Sequence, residues 1–147
     1  MPRTSYSALL VPGLAAVVIF TTAHRATPAA DPAMAISASS IHSEQYQPEY
    51  AVDGKPDTRW ASQGARAPGE WLRVDFGTPT SVDGLVIHWE TALAVVYQVQ
   101  VSDDDKTWRT LYRGRDAKGG KEVLTGLSGK GRFLRIFCEK PGRWGLF

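Results

Sequence analysis

A single cysteine, Cys138, occurs in 147 residues, so no disulfide can close within the chain and no cysteine-based zinc site can be built. Histidine is nearly as scarce, with three copies and no His-Glu-x-x-His pair. Gly-x-Ser-x-Gly and phosphate-loop motifs are missing as well. Gly126-Leu127-Ser128-Gly129-Lys130-Gly131 looks superficially like both but has the wrong spacing for either. No set of acid, base and nucleophile can be named, so the sequence predicts no catalysis in this domain. An excess of one charge is lacking too. The 17 basic and 15 acidic residues leave a formal net charge of +2, with bases scattered among acids. That excludes the electrostatic footprint of a nucleic-acid-binding surface. No internal repeat with a period of about 20 to 50 residues is visible.

What is present suits one soluble globular domain with a short leader: 43% of residues are hydrophobic and 22% charged. Residues 1–35 stand apart. Arg3 gives a basic start, residues 8–20 form an uncharged and largely apolar run, and Thr21-Thr22-Ala23 supplies small residues suited to cleavage. This is the layout of a secretory signal peptide. The apolar run is short for a spanning helix, which needs about 20 residues, although an uncleaved anchor is the alternative. Residues 24–35, rich in Ala, Pro and Thr, read as leader remnant or linker. Secretion, or exposure in the periplasm or at the cell surface, is therefore the expectation, and residues 36–147 form the domain.

Within the domain, alternation at period two recurs between turn residues. Residues 36–40 open a first strand. Leu72, Val74 and Phe76 oppose Arg73 and Asp75; Gly77-Thr78-Pro79-Thr80 breaks that strand, and Leu85, Ile87 and Trp89 then oppose Val86, His88 and Glu90. Tyr97, Val99 and Val101 alternate with Gln98, Gln100 and Ser102, the run Asp103-Asp104-Asp105-Lys106 turns the chain, and residues 108–112 return as a hairpin partner. After Gly119-Gly120 and a break over residues 126–129, residues 132–138 form the last clear strand, where Cys138 alternates with Leu134 and Ile136 as a small hydrophobe. Short strands with no sustained helical period predict an all-β antiparallel β-sandwich.

The stretch Asp53-Gly54-Lys55-Pro56-Asp57-Thr58-Arg59-Trp60 is turn chemistry. A tight turn points carbonyls inward, and Asp53 and Thr58 add side-chain oxygens, an arrangement suited to calcium. An ordinary Asp-Gly hairpin turn is the plainer alternative. Trp60 reads as a core plug beneath the loop.

Ala51-Val52-Asp53-Gly54-Lys55-Pro56-Asp57-Thr58-Arg59-Trp60-Ala61-Ser62, followed by Glu70-Trp71-Leu72-Arg73-Val74-Asp75-Phe76-Gly77, resembles the coagulation factor V/VIII type C (discoidin) domains and their bacterial relatives, the family 32 carbohydrate-binding modules. The strand, turn and tryptophan of residues 97–108 and the Arg132-Phe133-Leu134-Arg135-Ile136 strand continue the match in order, over about residues 36–147. The resemblance implies a discoidin-type jelly roll, galactose-binding-domain-like, that binds glycans without catalysis. It implies a structural calcium held by the Asp53 carboxylate, the Thr58 hydroxyl and carbonyl, and main-chain carbonyls near Tyr50 and Lys55. Family members continue past a Trp-Gly-Leu-Phe-like segment into a closing strand with an acidic residue. The sequence stops at Phe147, so a truncated domain, attached to further domains in a longer protein, is expected.

Sugar recognition needs flat aromatic faces and fork-like polar groups. Loop residues that offer them are His42, Tyr46, Gln47, Arg66, Arg143 and Trp144, with Arg143-Trp144 the most attractive pair. His88 and Glu90, on one strand face, are either a hydroxyl-orienting or a merely solvated pair. A glycan partner is the first reading. Lipid-headgroup or cell-surface adhesion is the alternative, with residues 92–96 the only apolar stretch that could serve it.

Overall fold

The computed structural model describes residues 34–64 and 69–142. Residues 1–33 of the expected leader, and Arg66, Arg143 and Trp144, lie outside the described residues.

The strands are β1 (Ala35–Ala38), β2 (Glu70–Trp89), β3 (Ala94–Ser102), β4 (Arg109–Arg115) and β5 (Gly120–Pro141). All ladders are antiparallel, in the order β1-β2-β5-β3-β4. At 20 and 22 residues, β2 and β5 are far longer than ordinary strands of about 5–6 residues, and neither stays in one layer. Their mutual register shifts between Asp75 and Thr80 and again between Val82 and Gly84. Gly77 and Gly126, in the left-handed region at φ 73° and 71°, supply the backbone freedom at these irregularities. Residues 70–75 consequently pair with 133–138 in a layer shared with β1, β3 and β4, while residues 84–89 pair with 120–125 in the facing layer. The sequence placed full breaks at residues 77–80 and 126–129. The chain instead keeps pairing and passes from one layer to the other through bulges, a recognised way to make sandwich corners. The hairpin partner of β3 likewise begins at Arg109 and runs to Arg115, beyond the 108–112 expected.

The core fills the space between the layers. Leu85, Ile87, Trp89 and Leu124 come from one layer, and Leu72, Tyr97, Val99, Val101, Leu134, Ile136 and Cys138 from the other. Trp89 meets Tyr97 edge-on with centroids 4.9 Å apart, which ties the layers together and adds about 1 kcal/mol beyond the area buried. Burial, then the charge of Glu70, pushes the Cys138 thiol well above the usual range, so it packs as an inert hydrophobe as expected. The residues after β1, those between β2 and β3, and those between β4 and β5 all emerge at the same end, where β3 starts opposite the end of β5.

Candidate binding site

At that end the segment following β1 is closed upon itself by hydrogen bonds that begin at two serines. Glu70 accepts through Oε2 from the hydroxyls of Ser39 and Ser40, the latter at 2.8 Å. Trp71 donates its N–H to Ser39 Oγ at 2.9 Å, and Gln63 donates its N–H to Ser40 Oγ at 3.0 Å. The indole N–H of Trp60 reaches the Ser40 carbonyl at 2.9 Å, and His42 N–H reaches the Ala61 carbonyl at 2.8 Å. Trp60 is buried with Ala51, the last residue of a one-turn 3-10 helix, Pro48–Ala51, which has proline where a missing N–H costs nothing. Trp60 is thus the plug that the sequence suggests.

This base presents Tyr46. The ring of His42 lies edge-on to it at 5.6 Å. The guanidinium of Arg59 stands 4.7 Å from the Tyr46 centroid and donates from Nη2 to its hydroxyl at 3.3 Å. Such a stack is worth about 0.5–1 kcal/mol at an exposed site and fixes the ring plane. Ile41, next to His42, is exposed. Gln47 turns away and donates to the Glu44 carbonyl within its own loop. Glu90 lies near enough to Arg59 for that charge to help lower its pKa, although the Thr91 hydroxyl bond is the larger cause. The carboxylate accepts from Thr91 Oγ1 at 2.6 Å and Ala92 N at 3.3 Å, which keeps it ionised and aimed at its own turn. His88, whose opposite number across the ladder is Lys121, does not join Glu90. The structure therefore brings together His42 and Tyr46 and adds Arg59. Arg59 was not among the expected ligand residues, because its partner lies 13 positions away and no local pattern marks the pairing. An aromatic ring, a guanidinium fork and an imidazole suit a polyhydroxylated ring.

A second cluster lies close by in sequence. Gly54, at φ 73°, lets the chain reverse so that Lys55 N–H donates to Asp53 Oδ1 at 2.9 Å. Thr58 Oγ1 lies 2.8 Å from both carboxylate oxygens of Asp53 and 3.2 Å from the Lys55 carbonyl. A carboxylate, a hydroxyl and a carbonyl thus meet in one hydrogen-bonded turn. Among the described residues no group of three or more His, Cys, Asp or Glu side chains is arranged to hold a metal. A cation here would rest on one carboxylate, one hydroxyl and carbonyls. Tyr50 donates its N–H to the Gln47 carbonyl.

The apolar stretch that would serve membrane contact is folded inward: Leu93 and Ala94 are both buried.

A model of the F5/8 type C domain matches residues 35–147. Among curated proteins, the chain is 31% identical over 94 residues to the polysaccharide lyase 8 family protein HylA of Enterococcus faecalis, a match spanning 62% of this chain and 7% of that protein. Among solved structures, it is similar to chitosan-binding module 2 of a chitosanase/glucanase from Paenibacillus sp. IK-5, solved with chitotriose. The identity is 29% with a TM-score of 0.70, covering 75% of this chain and 86% of that one. The family 32 carbohydrate-binding module of Clostridium perfringens NanJ, solved with galactose, shares the fold at 19% identity and a TM-score of 0.65, covering 77% and 86%.

Proposed function

The chain belongs to the F5/8 type C domain family, and from that premise we propose that it is a non-catalytic carbohydrate-binding module whose glycan rests on Tyr46 between His42 and Arg59. The observation that carries this reading is the fixed Tyr46 ring, held from one side by a guanidinium and from its edge by an imidazole. Amino-sugar oligosaccharides are the first ligands to try, because a module solved with chitotriose is similar at 29% identity over most of its length. The domain is exported by its leader, and a calcium ion on Asp53, Thr58, Lys55 and the Tyr50 carbonyl supports the loop structurally, without a place in any reaction. In the whole protein the module serves to hold a glycan-processing neighbour on its substrate. Isothermal titration of the chain with chitotriose and galactose, alongside sedimentation with anionic liposomes, tests the assignment. Tyr46→Ala is expected to weaken glycan binding at least tenfold with an unchanged melting curve. Vesicle binding without glycan binding would instead favour the adhesion alternative.

A further inference from the structure

The outward face of the larger layer carries a second arrangement with recognition chemistry. Because Leu72, Val99 and Ile136 point into the core, their neighbours Gln98, Gln100, Arg135 and Phe137 point away from it. Arg135 lies against two aromatic rings, 4.0 Å from the Trp108 centroid and 4.9 Å from that of Phe137. Its Nε donates to Gln100 Oε1 at 2.7 Å. Gln100 is itself held, since its amide donates to Gln98 Oε1 at 3.0 Å and to Thr110 Oγ1 at 3.1 Å. The guanidinium is therefore locked in plane and tilt, and one of its edges is spent.

The other edge is not. Three arginines around it each have a carboxylate: Arg73 pairs with Asp105, Arg113 with Glu139, and Arg132 with Asp75 at 2.8 Å. Among the described residues, Nη1 and Nη2 of Arg135 have no acceptor. The two Nη atoms reach solvent, so this edge is open to an acceptor from outside the chain. Burial lowers the affinity of Arg135 for its proton; the charge of Asp105 opposes this and that of Arg73 adds to it, and Asp105 is itself bonded to Arg73. The free Nη pair has the fork spacing that matches the two oxygens of a carboxylate. The two rings offer apolar faces to the body that carries it.

We propose that Arg135, Trp108 and Phe137 form a second binding site, apart from the Tyr46 cluster, for the carboxylate of a uronic acid residue within an acidic polysaccharide. The occupant is an anionic sugar rather than a neutral one, because the open edge is a charged fork whose best match is a carboxylate. Gln100 is a positioning residue: it sets which edge of the guanidinium faces out.

The test uses the full chain and oligogalacturonate, with dextran as the neutral control and dextran sulfate as the control for charge alone. In nuclear magnetic resonance titration of the unmodified protein, oligogalacturonate is expected to move the Trp108 indole and Arg135 Nε signals and leave those of Tyr46 and Arg59 in place. Arg135→Gln is expected to lower oligogalacturonate affinity at least tenfold. Arg135→Lys, which keeps the charge but loses the fork, should recover little of it, and Tyr46→Ala should leave it unchanged. The proposal is overturned if the moving signals are those of Tyr46 and Arg59, if nothing moves, if dextran sulfate binds more tightly than oligogalacturonate at equal charge, or if Lys restores full affinity. Because Tyr46→Ala separates the two sites, failure here leaves the chitotriose experiment to be judged by itself.

Discussion

Gly114 lies beneath the ring of Tyr97, its opposite number across the β3–β4 ladder, so closely that a Cβ on Gly114 would stand 2.1 Å from Tyr97 Cε1. The ring covers the glycine backbone and at the same time meets Trp89 of the facing layer, so one side chain joins an edge strand to the opposite sheet. Gly114→Ala must displace that ring from a packed core. A loss of about 1–3 kcal/mol is expected in urea unfolding, the range typical of overpacking. Combining it with Tyr97→Leu should cost less than the sum of the two single changes.

The Tyr97 hydroxyl is buried with no hydrogen-bond partner in good geometry, although burial first and then the nearby Glu122 and Tyr112 push its pKa up. Deleting an unsatisfied polar atom relieves its desolvation cost. Tyr97→Phe should therefore be neutral or stabilise the domain by up to about 1 kcal/mol. A clear loss of stability in thermal melts would mean that the hydroxyl does find a partner in solution.

His88 gives the fold a pH dependence of definite sign. Burial, then the charge of Lys121, lowers its folded-state pKa below the reference value of 6.5. Between the folded and unfolded pKa values the unfolded chain binds more protons, so stability rises with pH through that window. It is complete above about pH 6.5 and declines on acidification. Melting temperatures from pH 5 to 8 should fall on the acid side in the unmodified chain. That slope should flatten in His88→Gln.

Much of this architecture was legible because its signals are local. Period-two alternation identified the inward residues of β2, β3 and β5, down to Cys138, and the tryptophan after the Asp-Gly turn read correctly as a plug. The continuity of β2 and β5 was not legible, since Gly77 and Pro79 signal an ending whether a strand stops or only bulges. Only the partner strand distinguishes the two, and it lies some 55 residues away. Gln100 and Ser102 alternate outward as expected yet are buried, Gln100 bonded to Arg135 and Thr110 and Ser102 to Asp104 of the adjoining turn. The proposed cluster around Tyr46 was half legible. His42 and Tyr46 stand out as an aromatic-bearing loop, whereas Arg59 joins them only through a closure that no spacing encodes.

The Asp53 loop predicts a response to metal. With a ligand at about 100 times its dissociation constant, the folded state gains about 2.7 kcal/mol. Calcium should therefore raise the melting temperature and excess chelator reverse the rise. Asp53→Ala, which removes the one carboxylate in contact with Thr58 Oγ1, should abolish the response. An equal rise in Asp53→Ala would place the ion elsewhere.

Glu70 is where the fold meets the proposed site, because its Oε2 holds both serines at the root of the Tyr46 loop. Glu70→Gln keeps an acceptor in place and should be mild. Glu70→Ala severs both bonds, so the loop must then be ordered at the moment a glycan binds, and that entropy is subtracted from affinity. A roughly tenfold weakening of glycan binding is expected for Ala, with Tyr46 and Arg59 untouched, at a typical cost for ordering one or two side chains. If Ala lowers the melting temperature but leaves affinity unchanged, Trp60 alone fixes the loop. The serines would then belong to the stability of the sandwich and have no part in recognition.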